Sequence, residues 1–134
     1  MSPLKKSSGQ FIEPTRSELE ILQVLWRKGP STVRTVNDEL NREKREVNYT
    51  STLKLMQIMV EKGILKRDES SMKHVYEPVM EEKKIKGHLL DRFVESMFEG
   101  SASSLMMQLL GNKKTSKKEL EEIRELLEKF KKQQ

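Results

Sequence analysis

Three helices with apolar stripes, a short β-prone stretch split by a polar turn, and three more striped helices follow one another along the 134 residues. This order predicts a mainly α protein: a winged helix-turn-helix domain with a small β-hairpin wing, followed by a three-helix dimerisation domain. Strand-like pattern appears only before residue 80, which places the division there. Residues 1–14 read as a flexible N-terminal arm, 15–80 as the winged-helix domain and 81–134 as the helical dimerisation domain.

The arm holds Pro3, Lys5-Lys6, Ser7-Ser8-Gly9 and Pro14. The first helix starts at a capping box, Thr15 with Glu18 three residues on. Leu19, Leu22, Leu25 and Trp26 then recur at helical spacing with Ile21 on a flank, and Gly29-Pro30 ends the run. The second helix is capped by Ser31 or Thr32 and carries Val33, Val36 and Leu40 on one face. Residues 41–47 are its end plus a turn. The third helix opens near residues 48–50, buries Leu53, Met56, Met59 and Val60, and stops at Gly63, a natural left-handed cap. Ile64-Leu65-Lys66-Arg67 and residues 74–79 are the two strands of a hairpin around the polar residues 68–72.

From residue 81 the pattern is helical. Ile85, Leu89, Leu90, Phe93, Val94, Met97 and Phe98 form a broad stripe that Gly100 ends. Ser101 opens a helix with Leu105, Met106, Leu109 and Leu110, closed by Gly111. Ser116 and Glu119 make a second capping box, followed by Leu120, Ile123, Leu126, Leu127 and Phe130. These stripes are wide for a free-standing trio. Burial against a second copy is the economical solution, and folding back on the first 80 residues is the alternative. Leu89, Phe93, Met97, Leu105, Leu109, Ile123 and Leu127 are the expected dimerisation residues.

Apolar residues make up 34% and charged residues 35%, which suits a soluble fold with a modest core. No apolar run approaches the roughly 20 residues needed to span a bilayer, and no apolar leader opens the chain, so the expected location is cytoplasmic, without membrane insertion. There is no cysteine, and the only histidines are His74 and His88. A disulfide framework, thiolate metal site and cysteine nucleophile are thereby excluded, and neither metal nor cofactor is expected. No nucleophile–histidine–carboxylate spacing, HExxH or glycine-rich phosphate loop occurs, so the chain is not expected to be an enzyme. The net charge of +5 permits an anionic partner without demanding one.

Nucleic acid is the partner with a structural case. In a helix-turn-helix the second helix braces and the next enters the major groove. Thr50 and Ser51 at the leading end suit close approach to phosphates or base edges, and Lys54 lies one turn on. Leu55 is a candidate for a thymine methyl, and Tyr49 for the inter-helix turn with its hydroxyl on a phosphate. The bland alternative is that Thr50 merely caps the helix and Lys54 is solvated. The hairpin offers Lys66, Arg67, Lys73 and His74, of which Arg67 and Lys73 are the chosen wing contacts. Arg42, Lys44 and Arg45 in the inter-helix turn are further phosphate candidates, diluted by Glu43 and Glu46. Trp26, Tyr76, Met56 and Met59 read as core, and Met106-Met107 as interface packing.

The chain resembles the penicillinase-repressor type transcriptional regulators, the BlaI/MecI family, from about residue 12 to residue 130. The marks are Thr15-x-x-Glu18-x-x-Ile21-Leu22-x-x-Leu25-Trp26, Tyr49-Thr50-Ser51-Thr52 running to Met59-x-x-Lys62-Gly63-Ile64-Leu65, Tyr76-x-Pro78-x-Met80, and Phe98-x-Gly100-Ser101 with Leu105 beyond. The resemblance implies a homodimeric repressor on palindromic double-stranded operator DNA, each N-terminal domain reading one half-site. It also implies a membrane-bound sensor protease that relieves repression by cutting the C-terminal domain. The cut in relatives falls between an Asn and a Phe, and the corresponding positions here are Gln108 and Leu109. Thr52 stands where relatives carry Val or Ile, and Ile58 where they often carry a basic residue. The copper-responsive branch uses C-terminal cysteines, which this chain lacks. Two other readings of the fold stay open: a winged-helix protein–protein adaptor, and an architectural DNA binder without sequence preference.

Overall fold

The computed structural model describes residues 11–43, 45–112 and 114–133. Most of the arm and Lys44 therefore lie outside the described residues. The elements are α1 (Arg16–Lys28), α2 (Val33–Glu43), α3 (Tyr49–Glu61), β1 (Leu65–Asp68), β2 (Val75–Pro78), α4 (Glu82–Phe98), α5 (Ala102–Leu110) and α6 (Lys117–Lys132). The fold is mainly α with one small antiparallel hairpin, in the order of a winged helix-turn-helix followed by helices.

The predicted capping box is present at α1. The Glu18 amide donates to Thr15 Oγ1 at 3.2 Å, and the Thr15 amide donates to Glu18 Oε1 at 2.9 Å. Glu18 does more than cap. It is 2% exposed, and Lys62 Nζ reaches its two oxygens at 2.9 and 2.8 Å. This ion pair ties the start of α1 to the end of α3, where Gly63 takes φ +83 as expected. The Ile64 amide then closes back on the Met59 carbonyl and the Gly63 amide on Val60, a Schellman cap that turns the chain into β1.

The hairpin pairs Leu65 with Pro78 and Asp68 with Val75. Ser31 adds a third, single-residue rung. Its amide and carbonyl exchange bonds with Tyr76 at 3.0 and 2.8 Å. Ser31 is thus in the sheet, and Thr32 is the α2 cap, its Oγ1 accepting from the Thr35 amide at 3.2 Å.

The core of this unit is Ile21, Leu22, Val24 and Leu25 from α1, Val33, Val36 and Leu40 from α2, Met56 and Met59 from α3, Ile64, Leu65 and Tyr76 around the wing, and Ile85 from α4. Each large side chain sealed here contributes about 1.5–3 kcal/mol. Trp26, expected in the core, is only part-buried against it, with the Lys86 ammonium 5.2 Å from its ring centroid.

By contacts the chain divides between Leu89 and Leu90, not at residue 80. The cause is α4: Ile85 is 3% exposed and Leu89 packs on the same cluster, so the first turns of this helix belong to the N-terminal unit. In the second unit, Ser101 caps α5 and Ser116 with Glu119 forms the predicted box at α6. Gly100 has φ +82, and an added Cβ would sit 3.1 Å from Glu95 Oε1. Neither α5 nor α6 contains a buried residue.

Candidate nucleic-acid interface

α3 starts at Asn48, whose Oδ1 accepts from the Ser51 amide at 2.8 Å. Thr50 is therefore not the cap, and its side chain is exposed. The first intrahelical bond runs from the Thr52 amide to the Asn48 carbonyl at 3.3 Å, so the amides of Tyr49 and Thr50 lie ahead of it and the open end presents backbone donors. Thr50, Ser51, Lys54, Gln57, Ile58 and Glu61 are all exposed and recur at helical spacing, which makes one continuous outer face. Thr52, Met56 and Met59 make the opposite, buried face.

Leu55 does not join the outer face. It lies three residues after Thr52 and four before Met59, so the helix turns it inward, half-buried against the core. Tyr49 is 37% exposed, and the Arg34 guanidinium sits 4.5 Å from its ring centroid. Arg34 belongs to the first turn of α2. A basic residue one position after Val33, on a helix whose start flanks the next, is the signal in the sequence for this placement. Gln57 and Ile58 also belong to the outer face, beyond the contacts the sequence predicts.

The other basic residues are differently engaged. Arg42 Nη2 binds Glu39 at 2.5 Å and Glu43 at 3.0 Å. Arg45 pairs with Glu20, and Arg27 with Glu43. The Arg42 hydrogen bond holds the Glu39 carboxyl below its usual range, and Glu39 in turn raises Arg42. These cations answer acids of α1 and α2.

In the wing, Arg67 Nε donates to Glu69 at 2.6 Å, and hydrogen bonds to Tyr76 and then Glu69 raise its pKa. Arg67 is thus held within the hairpin. Lys66 lies 3.9 Å from Glu77. Lys73 and His74 are exposed near the tip, beside Met72 at 98% exposure. The tip itself is set by an Asx turn in which the Ser70 amide donates to Asp68 at 2.9 Å.

Of the expected dimerisation residues, Leu89 packs on the N-terminal core. Phe93 (47%), Met97 (64%), Leu109 (36%) and Leu127 (57%) are open, while Leu105 and Ile123 are half-covered. Gln108 and Leu109 lie exposed within α5. Among the described residues, no group of three or more His, Cys, Asp or Glu side chains is placed to hold a metal, and no helix is long and apolar enough to cross a membrane.

A second helix, an outward-facing third helix, and a hairpin bonded through Tyr76 to Ser31 just ahead of α2 have the order of the winged helix-turn-helix class. The model of one family, the penicillinase repressors, matches residues 14–129. The chain belongs to that family. It is 25% identical over 116 residues to the penicillinase repressor of Staphylococcus aureus, covering 87% of this chain and 91% of that one. Against the methicillin resistance regulatory protein MecI of Mammaliicoccus sciuri it is 23% identical over 117 residues, 87% and 94% of the two chains. The penicillinase repressor of Bacillus licheniformis is 25% identical over 118 residues, 86% and 89%.

Proposed function

We propose that this chain is a homodimeric transcriptional repressor that binds palindromic operator DNA through α3. The observation that carries the reading is the outer face of that helix. Thr50, Ser51 and Lys54 are exposed at its leading end while Thr52, Met56 and Met59 anchor it behind. Lys54 supplies a cation for a base edge or phosphate, the two hydroxyls supply short-range donors and acceptors, and Arg34 over Tyr49 adds charge beside them. Lys73 extends the contact from the wing. Arg67 is a weaker wing contact than expected because its guanidinium already binds Glu69.

The second copy is supported by the C-terminal unit. Phe93, Met97, Leu110, Leu126, Leu127 and Phe130 are each about half exposed or more, the condition of a helical face that lacks its complement. Two weak modules on one dimer reach their half-sites at high effective concentration, so the dimer multiplies affinity without any new contact. Relief by proteolysis belongs to the same proposal. Cutting at Gln108 and Leu109, both reachable on α5, would leave the reading helices intact and discard that gain. The cutting partner is a membrane-bound sensor protease, and the repressor itself works in the cytoplasm and performs no catalysis.

Footprinting of the DNA upstream of the chain's own gene, repeated across a salt series, tests this. The expected result is two protected half-sites about a dyad, with an affinity that falls steeply as salt rises. Equal protection of random duplex would make the protein an architectural binder. No DNA affinity, with tight binding to a protein instead, would make it an adaptor.

A further inference from the structure

Between α2 and α3 lies a polar network, buried at Asn37 and Thr52 and reaching the surface at Asn41 and Asn48, that the proposed reading mechanism has not used. Asn37 is 4% exposed and Thr52 2%. Asn37 Nδ2 donates to Thr52 Oγ1 at 2.7 Å and to the Val47 carbonyl at 3.0 Å. Asn37 Oδ1 accepts from Asn41 Nδ2 at 3.2 Å, and Asn41 Oδ1 accepts from the Val47 amide at 2.6 Å. Thr52 Oγ1 donates in turn to the Asn48 carbonyl at 3.5 Å. Both amide hydrogens of Asn37 and both backbone groups of Val47 are thereby used.

We propose that Asn37 and Thr52 are positioning residues that set the register of α3 against α2 and thereby its sequence discrimination. The inference rests on the repressor reading above. Its logic is geometric. Apolar packing alone is tolerant: a helix seated on Met56 and Met59 slides or rolls by small amounts with little loss, because dispersion is not directional. Hydrogen bonds are directional and fail over such shifts. Thr52 is the residue directly after Ser51 and two before Lys54, so whatever fixes its hydroxyl fixes the presentation of both. Base-edge recognition needs that accuracy, whereas attraction to phosphates does not. The threonine stands where the family resemblance leads one to expect Val or Ile, and Asn37 is the buried donor that gives the extra hydroxyl its purpose. With valine there, one Asn37 hydrogen would be stranded in the core unless α3 shifted to offer it another acceptor.

The test compares full-length Thr52→Val, Thr52→Ser and Asn41→Ala with the unaltered protein. The probes are a duplex that the unaltered protein selects from a random pool and an unrelated duplex of the same length. For Thr52→Val, affinity for the selected duplex is expected to fall about tenfold, with affinity for the unrelated duplex and the salt slope unchanged. Thr52→Ser, which keeps the hydroxyl, should stay within about twofold of the unaltered protein. Should Thr52→Val not fold, Asn41→Ala serves, since it removes the Val47 amide's acceptor at an exposed position and should lower the ratio by a few-fold. An unchanged ratio, an equal loss on both duplexes, or a Thr52→Ser variant as poor as Thr52→Val would overturn the proposal. Hydrogen exchange on the DNA-free protein separates the two levels. Faster exchange at the Val47 amide in Thr52→Val supports the network's role even if the unaltered protein selects no duplex, an outcome that would count against the repressor reading instead. Unaltered exchange there counts against the network.

Discussion

The two units of this chain are written in the same helical pattern and end in opposite conditions. In α1, Ile21 and Leu22 are fully buried. In α6, Leu126 and Leu127 stand 51% and 57% exposed at equally regular spacing. An apolar stripe states a need for a complement and not where the complement is. The N-terminal unit finds it within about 75 residues of the same chain, helped by the hairpin and the first turns of α4. Among its described residues, the C-terminal unit holds the end of α4 with α5 and α6, no strand, and no buried residue in α5 or α6.

The comparison is broken most severely by charging the exposed face. Met97→Asp together with Leu127→Asp should convert a dimer into monomers and lower operator affinity by a factor of about 100 or more. Sedimentation and a DNA titration measure the two effects, and the melting of the N-terminal unit should not change. The reverse experiment is Leu22→Ala, which should cost about 3 kcal/mol of unfolding free energy by denaturant titration and leave the association constant alone. Lys62→Met strands the Glu18 carboxylate beneath it. Because the lysine is part-exposed, the loss should fall near 3 kcal/mol, the lower end of the range for broken buried pairs. Lys54→Ala should weaken operator binding by about 1–2 kcal/mol and reduce the salt slope by about one, with dimerisation unchanged.

The smallest expected effect is on pH dependence. Glu39 is held below its usual 4.5 by Arg42. A depressed carboxyl stabilises the fold above the unfolded value and loses that contribution as pH falls through the folded one. Glu39→Gln should therefore be slightly less stable than the unaltered protein above about pH 4.5 and indistinguishable from it in stronger acid.

Local chemistry was the legible part of the sequence. Both capping boxes, the left-handed Gly63 and the outward edge of α3 follow from neighbours within four residues, where geometry is fixed by the helix or turn itself. What escaped depends on partners far along the chain. Glu18 reads as a cap, and only folding brings Lys62 to it from 44 residues away. Ser31 reads as a helix cap and becomes a sheet rung because Tyr76 arrives beside it. Leu55 and Leu89 sit at stripe edges, where a rotation of a few tens of degrees decides between core and surface. Arg45 reads as a phosphate candidate, and only folding brings Glu20 to it from 25 residues away. The Asn37–Thr52 bond joins two polar residues that each look like surface, and burial turns them into a joint.

A dimeric repressor presents α3 outward twice to one palindrome. Sedimentation of the full chain on its selected duplex tests this most directly. The expected result is a complex of two chains per duplex, formed without a populated one-chain species. A stable complex of one chain per duplex, at the same affinity, would contradict it.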